Sequence, residues 1–224
     1  MIFILGDTET TGVSSDDKVC EVALMQIDED FNVINQSCSL INPGKPIHYA
    51  ASAVNGITDA MVADAPTLEQ YMSDIGQPLL NEDVVFIAHN AAFDHRFLKD
   101  FMQDDVKTLC TLKCARHIYP DAANHKQGTL AAMLGIEVAR EKAHSANGDL
   151  DVLLQLLKCL CRDAGCGLVE LLHIQSIPKV ITKLKFGKKH YGKNLEDVPK
   201  VYIEWMLREV KNLDPDLRAS LLKL

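Results

Sequence analysis

Two carboxylates, Asp7 and Glu9, close the apolar run Ile2-Phe3-Ile4-Leu5 that opens the chain. A short apolar run bounded by a glycine, here Gly6, reads as a buried strand. Side chains alternate across a strand, so the two acids share a face, about 6–7 Å apart along it. Charge at the end of a buried strand is costly unless something neutralises it, and a divalent cation is the obvious counterion. The plainer reading is an edge strand with two solvated acids. A second apolar run, Val84-Val85-Phe86-Ile87, leads into His89-Asn90-Ala91-Ala92-Phe93-Asp94. Asp94 then lies near a helix start beside the end of a buried strand, where α/β folds gather their active sites. Its interaction with a helix dipole, ~0.3–1 kcal/mol, accounts for it equally well. The third stretch is His144-Ser145-Ala146-Asn147-Gly148-Asp149. On one helix His144 and Asp149 would lie about 140° apart, too far round to serve one site. With His144 in a loop ahead of a Ser145 cap, both can face one cleft. A lone histidine near a helix start is more often structural than catalytic.

The three stretches say more jointly than singly. Four carboxylates at segment ends and a histidine match what two-metal phosphodiester hydrolysis requires. Hard oxygen ligands hold Mg²⁺ or Mn²⁺. Two such ions ~3.5–4 Å apart stabilise the attacking and leaving oxygens of an in-line displacement. A histidine whose pKa lies near the working pH can take the proton of the attacking water.

These residues need a scaffold, and the patterning supplies one. Val19 to Ile27 and Val33 to Ile41 read as strands joined by the polar turn Asp28-Glu29-Asp30, so with the opening strand they form an antiparallel meander. Lys45 to Ala65 reads as short helices and loop, followed by a helix from Thr67 to Leu80 and a strand from Asp83 to Ala88. Helical spacing then recurs at Ala92 to Met102, Leu112 to Ile118, Gly128 to Leu134 and Ser145 to Cys161. In the last of these, Leu150, Leu153, Leu154, Leu157, Leu160 and Cys161 make one apolar stripe. The order predicts an α/β layered fold, a mixed sheet with helices packed on it. Gly165-Cys166-Gly167 marks a break. Behind it, Pro199 to Val210 and Pro215 to Leu222 read as helices with proline near their starts.

With 224 residues the chain can bury a full core and still carry a small appendage. No apolar run approaches the ~18 residues that span a membrane. The apolar opening lacks a basic region ahead of it, so a signal peptide is not expected. Seven cysteines, an odd number with no CxxC pair, read as reduced thiols in a cytoplasmic protein. The spacing of Cys159, Cys161 and Cys166 fits no usual zinc pattern. The net charge of −8 is unevenly spread: residues 1–178 hold 12 basic against 25 acidic side chains, and residues 179–224 hold 11 against 6. Six lysines and no acid lie between Lys179 and Lys193. Such asymmetry points to an anionic partner at the basic end, although lysine runs are often only solvated faces.

Asp7-Thr8-Glu9-Thr10-Thr11-Gly12, His89 through Asp94, and His144 through Asp149 resemble, in order and in spacing, the three motifs of the DEDDh group of 3′–5′ exonucleases. The resemblance covers about residues 1 to 162 and implies a ribonuclease H-like mixed sheet flanked by helices. The tail, with Phe186-Gly187-Lys188-Lys189-His190-Tyr191-Gly192-Lys193, Leu195 through Pro199, and Tyr202 and Trp205, looks like the small basic C-terminal α+β module of the exodeoxyribonuclease X branch. The expected organisation is an exonuclease domain over residues 1–165, a linker or helix over 166–180, and a nucleic-acid-binding module over 181–224.

The resemblance implies roles. Asp7, Glu9 and Asp149 would hold the first of two Mg²⁺ or Mn²⁺ ions, Asp7 would bridge to the second with Asp94 in support, and His144 would be the general base. Thr8, Thr10, Val13, Asn55, Asn90 and Phe93 are the expected substrate-binding residues. Phe93 or Tyr49 could offer a stacking face, although Phe93 lies at helical spacing to Phe97, as a core residue would. Asn55-Gly56-Ile57-Thr58 stands where relatives often carry His-Gly-Ile-Thr, and asparagine can hydrogen-bond there but cannot carry charge. The implied reaction removes nucleoside 5′-monophosphates from DNA 3′ ends, in single strands or duplexes. Self-association, if any, would be as a homodimer. Two alternatives stand beside this reading: an exoribonuclease of the same chemistry, and a non-catalytic nucleic-acid-binding adaptor, which the intact acid set argues against.

Overall fold

The computed structural model describes residues 1–75, 78–81, 83–137, 146–177, 180–210 and 213–224. Its contacts divide the chain into two units, Met1–Leu172 and His173–Leu224. The first unit is built on five strands: β1 (Ile2–Thr10), β2 (Val19–Ile27), β3 (Val33–Leu40), β4 (Val84–Ala88) and β5 (Lys107–Cys110). Their order across the sheet is β3-β2-β1-β4-β5. The first three strands form the expected antiparallel meander, and β4 pairs parallel to β1 on the other side. β5, parallel to β4, lies in a stretch that the patterning left unassigned. β1 is thus central, and Asp7 and Glu9 belong to a strand paired on both sides rather than to an edge.

Among the described residues of this unit, seven helices come before Gly165: α1 (Tyr49–Asn55), α2 (Asp59–Val62), α3 (Leu68–Asp74), α4 (Ala91–Leu98), α5 (Thr111–Ile118), α6 (Gln127–Leu134) and α7 (Ala146–Ala164). A further helix, α8 (Leu168–Ile174), crosses the division between the units. The helix expected from Thr67 to Leu80 is shorter. α3 ends at Asp74 and a 3₁₀ turn covers Pro78–Leu80. Pro78 explains the break, since it has no N–H to donate and its ring crowds the preceding turn. Likewise α4 gives way at Leu98 to a 3₁₀ turn over Lys99–Phe101.

The two faces of β1 have different tasks. Ile4 joins Val22, Leu24, Val84 and Phe86 in a core shared with Tyr71, Met72 and Leu98 from α3 and α4. Gly6 belongs to that face: a Cβ there would press into the Phe86 ring, with Cζ only 2.7 Å away. The glycine lets an aromatic ring approach the backbone of the central strand closely. The opposite face carries Phe3, Leu5, Asp7 and Glu9 and meets α7, which packs on β1 and β2. The inward stripe of α7 includes Leu150, Leu153, Leu157 and Leu160, all essentially inaccessible. Gly165, at φ 63°, ends the helix, with the Cys166 N–H donating to the Cys161 carbonyl at 3.0 Å.

The second unit holds α9 (Lys200–Glu209) and α10 (Pro215–Leu221). A bridge between Lys183 and Asn194 precedes them. Its core is Leu184, Leu195, Val198, Ile203, Met206, Leu213, Leu217 and Leu221. Among the described residues no helix is long and apolar enough to cross a membrane.

Candidate active site

The strand period delivers Asp7 and Glu9 to the face that α7 covers, and Asp149 lies in the first turn of that helix. One carboxylate oxygen from each of Asp7, Glu9 and Asp149 lies within 4.8 Å of the others. Oxygens around an octahedral ion with bonds of about 2.1 Å stand about 3–4.2 Å apart, so the cluster needs little adjustment to close on a cation. The electrostatics favour one. Burial raises the Asp7 carboxyl well above its ordinary range, and the charges pressing on it, Asp94, Asp149, Glu9 and Glu21, are all negative. Burial, Asp149 and Glu21 push Glu9 up to about 7, against an opposing hydrogen bond from Asn55. An all-oxygen donor set of mutually repelling carboxylates suits a hard divalent ion.

Asp94 stands beside this trio rather than within it. It is buried in the first turn of α4, and its Oδ1 accepts from the Thr8 backbone N–H at 3.0 Å and from the Thr8 hydroxyl at 2.8 Å. Burial nonetheless raises its carboxyl to about 7, the Thr8 bonds opposing the shift. Thr8 therefore fastens β1 to α4 from one side of the strand while Asp7 and Glu9 point to the other. His144 lies outside the described residues.

A groove of about 560 Å³ opens next to Glu9. It gathers five expected substrate-binding residues with it: Thr8, Thr10, Val13, Asn55 and Phe93. Asn90 is not among the lining residues. It is exposed, sits at φ 75° as the residue before α4, and makes no side-chain cap there. Val13 and Val54, which both line the groove, are 78% and 67% exposed. One wall is the loop after β1, which Asp17 staples by accepting from the Ser14 N–H and the Thr11 hydroxyl. Arg96 donates to the Val13 carbonyl at 3.0 Å and lies over the rings of Phe93 and Phe97. Phe93 meets Phe97 edge-on and lines the groove as well, so both of its readings apply. Asn55 is buried: it accepts from the Ile57 N–H and reaches the Thr10 carbonyl at 3.4 Å, so it braces the end of β1. Tyr49 is exposed and stacks on His48, which lines the groove.

The sequence reading passed over Glu21. It faces Glu9 directly across the β1–β2 pair, and its Oε2 accepts the Ala146 N–H at 2.9 Å, tying the start of α7 to the sheet. A second link runs from Gln36 on β3 to Asn147. A glutamate inside the apolar run Val19 to Ile27 was the available signal. His89 is a different case. Its Nε2 donates to the His125 carbonyl, its Nδ1 meets the Thr111 hydroxyl, and burial lowers its pKa, so it serves as a neutral brace.

Comparison with known proteins identifies the family of this fold. The family model described as Exonuclease matches residues 4–157, from β1 into α7. Exodeoxyribonuclease 10 of Escherichia coli (strain K12) is 28% identical over 221 residues, covering 96% of this chain and 94% of that protein. A DNA polymerase III subunit epsilon-like protein of Rhodobacter capsulatus is 34% identical over 71% of this chain and 24% of its own length. Among solved structures, Exonuclease X in complex with 5′ overhanging duplex DNA superposes with a TM-score of 0.64 at 26% identity, over 78% of this chain and 99% of that one. Exonuclease I, at 18% identity and a TM-score of 0.63, shares the fold. Since the family match runs through the strands and helices that carry the carboxylates, the chain belongs to the exonuclease family and is a 3′–5′ exonuclease of its DnaQ-like branch.

Proposed function

We propose that the chain is a metal-dependent exodeoxyribonuclease that removes nucleoside 5′-monophosphates from DNA 3′ ends with two bound Mg²⁺ or Mn²⁺ ions. The observation that carries this is the Asp7–Glu9–Asp149 cluster, of which Glu9 also lines the groove. Asp7, Glu9 and Asp149 would hold the ions, with Asp94, bonded to Thr8, adding its charge to Asp7. When bound, such ions lower the pKa of a coordinated water and offset charge on the leaving oxygen. The chain's own residues do the rest. His144, the expected base, takes the proton of the attacking water. Val13 and Val54 offer apolar rims to the terminal base and Phe93 offers its ring; Thr8 and Thr10 line the floor. Asn55 keeps the end of β1 in place beneath them. Likeness to a deoxyribonuclease over 96% of the chain supports DNA as the substrate.

The test is one gel. End-labelled single-stranded DNA, duplex DNA and RNA are each incubated with Mg²⁺, Mn²⁺ or EDTA. Stepwise shortening of DNA from the 3′ end with metal, and none in EDTA, is expected. Faster loss of RNA would reassign the substrate, and shortening in EDTA would defeat the metal reading.

A further inference from the structure

The second unit carries a surface that its own core does not need. Between Lys183 and Asn194 the chain makes an irregular hairpin, held by Leu184 N–H donating to the Lys193 carbonyl at 2.8 Å and Gly192 N–H donating to the Leu184 carbonyl at 2.7 Å. Leu184 and Leu195 turn into the core, while Lys183, Lys185, Lys188, Lys189 and Lys193 are exposed. No acid interrupts them. The hairpin rests on α9 through Tyr202. The His190 ring lies edge-on to Tyr202 at 4.7 Å, and Gly187, at φ 65°, approaches so closely that a Cβ would stand 2.9 Å from the Tyr202 hydroxyl. Partial burial of the ring, and after it the charges of Lys193 and Lys189, lower the His190 pKa, so the imidazole beside the lysines is neutral. One turn further along α9, Trp205 stacks beside Tyr202 at 5.3 Å with the planes 31° apart. Ile203 and Met206 supply the core face of that helix, yet Trp205 is left 41% exposed and Tyr191 65%.

Lysines that track phosphates, next to aromatic faces open to solvent, are what unpaired bases require. A duplex hides its base faces, and an acidic peptide has no use for the indole. We propose that the lysine hairpin and the Tyr202–Trp205 shelf form a second binding surface for single-stranded nucleic acid, with phosphates on the lysines and bases stacked on Trp205 and Tyr191. This rests on the nuclease reading above for its choice of polyanion, and it assigns that binding to named residues of the second unit.

Trp205 is the chain's single tryptophan, so its fluorescence reports on this surface directly. The full chain in EDTA is titrated with a dT12 oligonucleotide, and quenching of the indole emission is expected. About four phosphate contacts give a salt slope near −3, or roughly a 50-fold loss of affinity between 50 and 200 mM salt. Lys188→Gln with Lys189→Gln should flatten that slope by about 1.4 and raise the KM for a 20-mer, leaving turnover of a trinucleotide unchanged. By anisotropy of a labelled oligonucleotide, Trp205→Phe should bind nearly normally and Trp205→Ala about 5–150-fold more weakly. If Trp205→Ala does not fold, the lysine pair and Trp205→Phe decide alone. No quenching by dT12, in a chain that degrades it once Mn²⁺ is added, overturns the surface and leaves the nuclease intact. Quenching without degradation of DNA or RNA under any metal overturns the nuclease reading and leaves the surface. Equal quenching by polyglutamate or by blunt duplex overturns the assignment to stacked, unpaired bases.

Discussion

Replacing Glu9 by glutamine should make the metal-free protein more stable at alkaline pH, although it removes a residue of the site. Burial and its acidic neighbours raise the Glu9 carboxyl from an ordinary 4.5 to about 7. An acid whose pKa is higher folded than unfolded favours the unfolded chain as pH climbs between the two values. Below about pH 4.5 Glu9 is neutral in both states and exerts no penalty; by pH 7 to 8 the penalty is nearly complete. At 1.36 kcal/mol per pKa unit this comes to about 3 kcal/mol. For a chain of this size that is a shift in Tm of about 6–12 °C. The assay is a set of melts in EDTA between pH 4.5 and 8, comparing the natural chain with Glu9→Gln. The two should coincide at the acid end and separate towards pH 8, with the variant melting higher. Mn²⁺ binds the ionised site of the folded state alone, so it should raise the Tm of the natural chain more at pH 8 than at pH 5. Parallel melting curves across the whole pH range would refute the reasoning, because a solvated Glu9 has no penalty to lose. His89 works in the opposite sense: its lowered pKa costs stability as pH falls through about 6.5, equally in both proteins.

Asp149→Ala should lower the cleavage rate by at least ~100-fold with far-ultraviolet circular dichroism unchanged, since it removes one of three converging carboxylates. Thr8→Val deletes the hydroxyl bond to Asp94 and keeps the backbone one; urea unfolding should show a loss of ~1–3 kcal/mol. Gly6→Ala drives a methyl into the Phe86 ring, costing ~1–3 kcal/mol in the same assay, and pairing it with Phe86→Leu should return part of the loss.

The parts of this molecule that could be read in advance are those with a long local signal. β1, β2 and β3 each run for eight or nine residues, and α7 repeats its apolar stripe over five turns. β5 has only four residues, of which Leu109 and Cys110 are buried, and what makes it a strand is β4 alongside. The same division holds in the site. The period of a strand is enough to set Asp7 and Glu9 on one face. The bond from Asp94 to Thr8 spans 86 residues and has no local trace. Glu21 points nowhere in particular until the register puts it opposite Glu9. Asn55 read as a substrate contact because its neighbours resembled a motif; its burial against Thr10 appears only in three dimensions.

The central position of β1 has a consequence for how this protein can change. A one-residue insertion before Asp7 would exchange the faces of Asp7 and Glu9 with those of Thr8 and Thr10, turning acids into the core and emptying the site. Because β1 is paired with β2 from Phe3 to Thr10 and with β4 from Ile2 to Leu5, neither neighbour can absorb such a slip. The groove is built otherwise: its walls are the loop from Gly12 to Asp17 and the short helix α1, segments that accept length changes at small cost. The chemistry is therefore open to revision only residue by residue, while the shape offered to the substrate can drift by whole insertions. Divergent relatives of this chain should keep the spacing of Asp7 to Glu9 and vary in the length of the loops that face it.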